Sequence, residues 1–130
     1  MKNLIIVFEK FESAMMEKFI ETNESIKEVL KKQYEGAVVL NREFTGKGFF
    51  THFSVLEDIE KIPNDELDMK NTGVWVNGKN ADFILFIRNG LITSLEGYML
   101  LDDTWPDVIT SYGFYDSTTG KIIETYGNSA

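Results

Sequence analysis

The stretch from Ala81 to Leu101, ADFILFIRNGLITSLEGYMLL, constrains this chain more than any other. It reads as two apolar strands meeting at Asn89-Gly90. That dipeptide favours a type I′ turn, because both central positions need φ above zero, which Gly adopts freely and Asn tolerates. A two-residue loop sets Arg88 opposite Leu91, Ile87 opposite Ile92, Ile84 opposite Leu95 and Phe83 opposite Glu96. One face then carries Ile84, Phe86, Leu91 and Leu95; the other carries Phe83, Leu85, Ile87 and Ile92. Apolar residues on both faces predict a strand that is covered on both sides and central in its sheet. On the same reading Phe86 is buried. The second face turns polar along Ser94 and Glu96, so cover there is partial, or comes from a loop or another chain.

The rest of the chain divides around this hairpin. Over residues 2–20, Leu4, Phe8, Phe11, Met15 and Phe19 recur at spacings of three and four, with Ile5, Met16 and Ile20 widening the stripe. That spacing predicts an amphipathic helix packed on its own sheet. Thr22-Asn23 interrupts it, and Asn23 is placed to cap a second helix holding Ile26, Val29, Leu30 and Tyr34, stopped at Gly36. From Ala37 the period becomes two. Ala37–Phe44 and Phe49–Val55 are expected as strands around Thr45–Gly48, with Phe49, Thr51, Phe53 and Val55 on one face and Phe50, His52 and Ser54 on the other. Residues 57–70 are acidic and broken by Pro63, which suggests an exposed loop. Thr72–Val76 reads as a short strand ended by Asn77-Gly78, Asp102–Asp107 as an irregular turn, and residues 111–126 as a last hairpin across Ser117–Gly120. The expected fold is α+β: two N-terminal helices packed on one face of a mostly antiparallel sheet of five to seven strands.

A chain of 130 residues without internal repeats predicts one domain, 1–130, and 43% hydrophobic residues with ten Phe supply a core. The absence of Cys excludes disulfides, thiolate metal sites and Cys nucleophiles. The opening MKNLIIVFEKFES offers only LIIVF before charges return, too short for a signal peptide or a membrane span. A cytoplasmic location is therefore expected, and no membrane association. Net charge is −8 and uneven: residues 81–130 hold two basic side chains against seven acidic ones. Such a surface repels phosphate backbones, which argues against nucleic acid, and would steer a basic protein partner. Plain acidity of a soluble protein accounts for the same charge.

Chemistry-bearing patterns are few. Gly46-Lys47-Gly48 lacks the earlier Gly and the Ser/Thr that a phosphate-binding loop needs. His52 is the one histidine; as a general base it would want a carboxylate orienter, and Glu96 could serve only if the strands bring it near. Asp102, Asp103 and Asp107 cluster near Trp105, but their spacing does not match a calcium loop. No metal site, cofactor or catalytic residue is assigned. Glu96 sits where its strand leaves the apolar run, just before Gly97-Tyr98. It could bind a ligand, or accept hydrogen bonds from the backbone of the 102–107 turn. Trp105 is an anchor for its own core or for a partner. Glu96, Tyr98 and Trp105 are expected close together at one edge of the sheet. The candidate binding residues are thus Glu96, Tyr98, Asp102, Asp103, Trp105 and His52.

REFTGKGFFTHFSV (Arg42–Val55), ADFILFIRNGLITSLEGY (Ala81–Tyr98) and DDTWPD (Asp102–Asp107), in that order, resemble a small bacterial family with the pattern REFTGxGFFTxFxV, then GAxFxLFIxxGxLxxLEGYxxxxxWP. The likeness covers residues 36–107. Asn80 stands where that pattern has Gly, and Lys47 where an apolar residue is commoner. The resemblance implies a product of polymorphic-toxin immunity neighbourhoods and carries over no activity or catalytic residue. The leading expectation is a non-enzymatic binding protein whose acidic surface neutralises a basic toxin. The alternative is a small-ligand binder or enzyme using Glu96, His52 and Tyr98 in a pocket beside the 82–99 hairpin. A third class, a self-assembling domain or homo-oligomer, rests on the two-sided apolar strand.

Overall fold

Asn89 and Gly90 both have positive φ, 53° and 78°, so the hairpin turns as its dipeptide dictates. Asn77-Gly78 has the same geometry, 51° and 79°, and makes a second tight hairpin where the sequence suggested only a strand end. The computed structural model describes residues 4–127. Two helices come first, α1 (Phe8–Thr22) and α2 (Lys27–Glu35), with a 3-10 turn at Glu24–Ile26 between them. Eight strands follow: β1 (Val38–Phe44), β2 (Gly48–Ser54), β3 (Glu66–Leu67), β4 (Thr72–Val76), β5 (Lys79–Arg88), β6 (Leu91–Met99), β7 (Ser111–Asp116) and β8 (Ile122–Gly127). All pair antiparallel in one sheet of order β1-β2-β6-β5-β4-β7-β8, with the two-residue β3 beside β5. The fold is α+β, with both helices at the N-terminus.

The hairpin register departs from strict alternation. Ile87 faces Ile92, but a bulge then shifts the pairing by one: Phe86 faces Ser94, Leu85 faces Leu95, Ile84 faces Glu96 and Phe83 faces Gly97. The extra residue is Thr93. Period two from Ile92 would turn Ser94, Glu96 and Tyr98 toward the helices. The bulge instead turns Leu95, Gly97 and Met99 inward, where Leu95 and Met99 are fully buried, and sends Ser94, Glu96 and Tyr98 outward. Glu96 is therefore opposite Ile84, and not Phe83.

Both helices lie on one face. Phe11, Met15, Met16, Phe19 and Leu30 are wholly buried there with Phe49, Leu85 and Leu95. β5 is central in the sheet but covered on that side alone, so Ile84 and Phe86, on the other side, are only half-buried. Two-sided apolarity reflects cover by helices on one face and an exposed apolar surface on the other. Buried polar groups are all paired among the described residues. Glu12 takes two hydrogen bonds from Arg42, at 3.0 and 2.8 Å, and one from the Thr51 hydroxyl, tying α1 to β1 and β2. Gln33 donates to the carbonyls of Glu60 and Gly90 and accepts from the Ile92 amide. It thereby clamps the central turn to α2.

Three local expectations are corrected. Residues 4–7 are extended, because the Ile6 amide bonds the Ile109 carbonyl at 2.8 Å, so α1 starts at Phe8 and Leu4 and Ile5 are exposed. The part of that expected helix at residues 2–3 lies outside the described residues. Asn23 does not cap α2: its amide donates to the carbonyls of Phe19 and Asp68, sealing the end of α1. The 57–70 segment is not simply exposed, since it buries Ile62, Leu67 and Met69 and supplies β3.

Candidate functional site

One face of the sheet carries no helix, and its side chains follow from alternation along each strand. β2 sends Phe50 and His52 outward, β5 sends Asp82, Ile84 and Phe86, and β6 sends Ser94, Glu96 and Tyr98. β4 and β7 add Trp75 and Tyr115. Those two rings lie across glycines of the neighbouring strand: a Cβ on Gly113 would meet the Trp75 ring at 2.2 Å, and one on Gly73 would meet Tyr115 at 2.1 Å. The glycines let both rings lie flat on the sheet and form a platform beside Asn80, whose side-chain oxygen accepts from the Tyr115 hydroxyl at 3.3 Å.

The middle of this face is acidic. Tyr98 stands opposite Asp82, and its hydroxyl donates to Asp82 Oδ2 at a long 3.4 Å. Burial, with Asp82 and then Glu96 nearby, holds the Tyr98 phenol above its ordinary range. Glu96 is half-buried between Ile84 and Phe50 on the neighbouring strands. Burial raises its pKa. Glu66 on β3 adds an exposed carboxylate opposite Phe86. Next to it, between the ends of β3 and β4, a cleft of about 460 Å³ opens over Asp82 and Ile84, with Asp68 and Lys70 on its rim.

His52 sits at the other end of the face. Its ring stacks parallel on Phe50 at 6.0 Å, its Nδ1 lies 2.8 Å from Ser94 Oγ and its Nε2 lies 2.6 Å from Glu43 Oε1. The carboxylate beside the ring is therefore Glu43, from β1, and Glu96 is one diagonal step away across β2 and β6. Compared with family models, with curated proteins and with solved structures, the chain matches none. Its reading rests on the geometry of these residues.

The structure separates the six residues singled out in the sequence. Glu96, Tyr98 and His52 share the helix-free face. Trp105 is on the helix side, its ring edge-on to Phe49 at 5.0 Å and to Phe11 at 6.0 Å, with its amide bonded to the Gly46 carbonyl. The expected cluster of Glu96, Tyr98 and Trp105 does not form, because Glu96 and Gly97 point to opposite sides and Trp105 follows the Gly97 side. Asp103 accepts from Lys79 at 3.2 Å, and Lys47 is bonded to the carbonyls of Leu101 and Asp103, so the 102–107 turn is held structurally while Asp102 stays exposed. No group of three or more metal-ligating side chains forms among the described residues. No helix among them is long and apolar enough to cross a membrane. Asp82, Trp75, Tyr115, Glu43 and Ser94 escaped the sequence reading. Alternation from Phe86 back to Asp82 would have found the first, and recognising Asn77-Gly78 as a hairpin would have brought Trp75 beside it.

Proposed function

We propose that this chain is a cytoplasmic binding protein that holds a basic protein partner on the helix-free face of its sheet, and that the partner is a toxin it neutralises. The observation that carries this reading is the composition of that face: Asp82, Glu96 and Glu66 interleaved with Tyr98, Trp75, Tyr115 and Phe86, with Arg88 as the cation of β5 on that side. Arg and Lys side chains suit such a surface, because a guanidinium stacks on aromatic rings and pairs with carboxylates in the same approach. The net charge of −8 adds long-range attraction, which raises the association rate. Glu96, half-buried with its pKa raised by desolvation, would take a hydrogen-bonded cation as compensation. The resemblance to a family from immunity neighbourhoods supports a toxin as that partner.

The test is binding to a basic toxin domain, measured by calorimetry at two salt concentrations. Asp82→Lys with Glu96→Lys is expected to weaken binding by at least about tenfold, or 1.4 kcal/mol, while the melting temperature hardly moves. Added salt is expected to weaken the wild type more than the double variant. Equal affinity in the two proteins would refute the reading.

A further inference from the structure

Independently of partner binding, we propose that the His52 end of the helix-free face is a nucleophilic site that hydrolyses short-chain esters, with Ser94 as nucleophile. The cleft there has a volume of about 260 Å³ and is lined by Phe50, His52, Phe86, Arg88, Thr93 and Ser94. The hydrogen-bonded line Ser94–His52–Glu43, at 2.8 and 2.6 Å, fixes its polarity. A carboxylate only accepts, so Nε2 must donate to Glu43. In the neutral ring Nδ1 is then the lone-pair nitrogen, and the Ser94 hydroxyl donates to it. That is the arrangement a general base and its nucleophile require, with the third group holding the tautomer. The parallel Phe50 ring keeps the imidazole in plane. Thr93, the bulged residue, sets the turn of the strand that presents Ser94 outward, and bulges commonly re-aim side chains in this way.

Arg88 supplies the remaining element. Its side chain lines the same cleft and makes no hydrogen bond or ion pair with a described residue, so its guanidinium is free to face a developing oxyanion. Phe50 and Phe86 flank the space for an apolar acyl group. In the reaction Ser94 Oγ bonds the ester carbonyl carbon as its proton passes to His52 Nδ1. The tetrahedral intermediate collapses, the bond to the alkoxide breaks, and His52 returns the proton to the departing alcohol. Water then attacks the acyl-serine by the same route, releasing the acid and restoring the hydroxyl.

Full-length protein treated with a fluorophosphonate, and separately with p-nitrophenyl acetate, tests this directly. Expected are covalent labelling at Ser94 by mass spectrometry and p-nitrophenolate release above buffer. Both should vanish in Ser94→Ala, and release should fall by about a hundredfold or more in His52→Gln, with melting curves recorded for each. Glu43→Gln, at an exposed position that bears on the ring alone, should lower the rate while Ser94 remains labelled. An unlabelled Ser94 in folded wild type, or release that falls less than about tenfold in a folded His52→Gln, would overturn the proposal and leave partner binding at Asp82 and Glu96 untouched.

Discussion

Leu85 and Phe86 are neighbours in sequence and face opposite sides of β5. Leu85 is completely buried under the helices, and Phe86 is half-buried on the face without them. Leu85→Ala should therefore cost about 2–5 kcal/mol through lost transfer energy and an unfilled cavity. Phe86→Ala should cost only about 1 kcal/mol, nearer to the typical point substitution; urea denaturation of the two variants measures the contrast. Strand alternation made the two faces of β5 legible, but it set Leu95 with Ile84 and Phe86 where the bulge turns it in beside Leu85, and the sequence could not say which face the helices would take. Glu96 gives a second prediction. Burial raises its folded pKa above the unfolded carboxylate value, so its ionisation opposes folding. Stability attached to this group is complete below the unfolded pKa and is lost as pH rises through the folded one. Glu96→Gln should thus stabilise the free protein at neutral pH, by up to about 0.5 kcal/mol for a surface position. The advantage should shrink in acid, and thermal melts across the acid range would show it. A variant less stable than wild type at neutral pH would mean that Glu96 makes a structural bond.

At the scale of elements, the Asn89-Gly90 turn is readable in the sequence and the bulge is not. Asn89-Gly90 marks its hairpin because few dipeptides accept two positive φ values in succession. A bulge leaves no such signature, and a reading that assumes period two places every residue beyond it on the wrong side. Strict period two sets Glu96 opposite Phe83, whereas the bulge sets it opposite Ile84 and away from Trp105. The start of α1 was misread for a related reason: Leu4 and Ile5 continue a helical spacing, yet the Ile6 amide finds its partner in Ile109. β1 is an edge strand whose Val38, Leu40 and Phe44 are exposed, so apolar burial contributes little to holding it. Its ties to α1 are the Phe44 ring edge-on to Phe8 at 5.5 Å and the buried Glu12 carboxylate, bonded by Arg42. Arg42→Ala should cost about 3–5 kcal/mol, because it strands a buried charge. Replacing both partners, Glu12→Leu with Arg42→Met, should restore most of that loss, since apolar substitutes avoid the desolvation cost. A double variant as unstable as Arg42→Ala would show that the pair itself, and not the orphaned carboxylate, sets the energy.

For the molecule as a whole, the sheet divides two roles. The helix side holds the packed core, with Trp105 and Gly97 against Phe49 and Phe83 within it. The other side holds an aromatic and acidic surface that no part of the described chain covers. Composition gave the sign of the charge, and only the topology shows that Asp82 on β5, Glu96 and Tyr98 on β6 and the Trp75–Tyr115 platform on β4 and β7 form one surface. The central claim is that this surface is where the chain meets its partner. The most direct measurement is a two-dimensional amide NMR titration with a basic toxin domain that binds the chain. The account predicts that the largest shifts fall on β4, β5, β6 and β7 around Trp75, Asp82, Glu96, Tyr98 and Tyr115, with α1 and α2 nearly unmoved. Shifts confined to the outer surface of the helices, or to the exposed apolar residues Ile5, Val7, Phe44 and Val108, would contradict it.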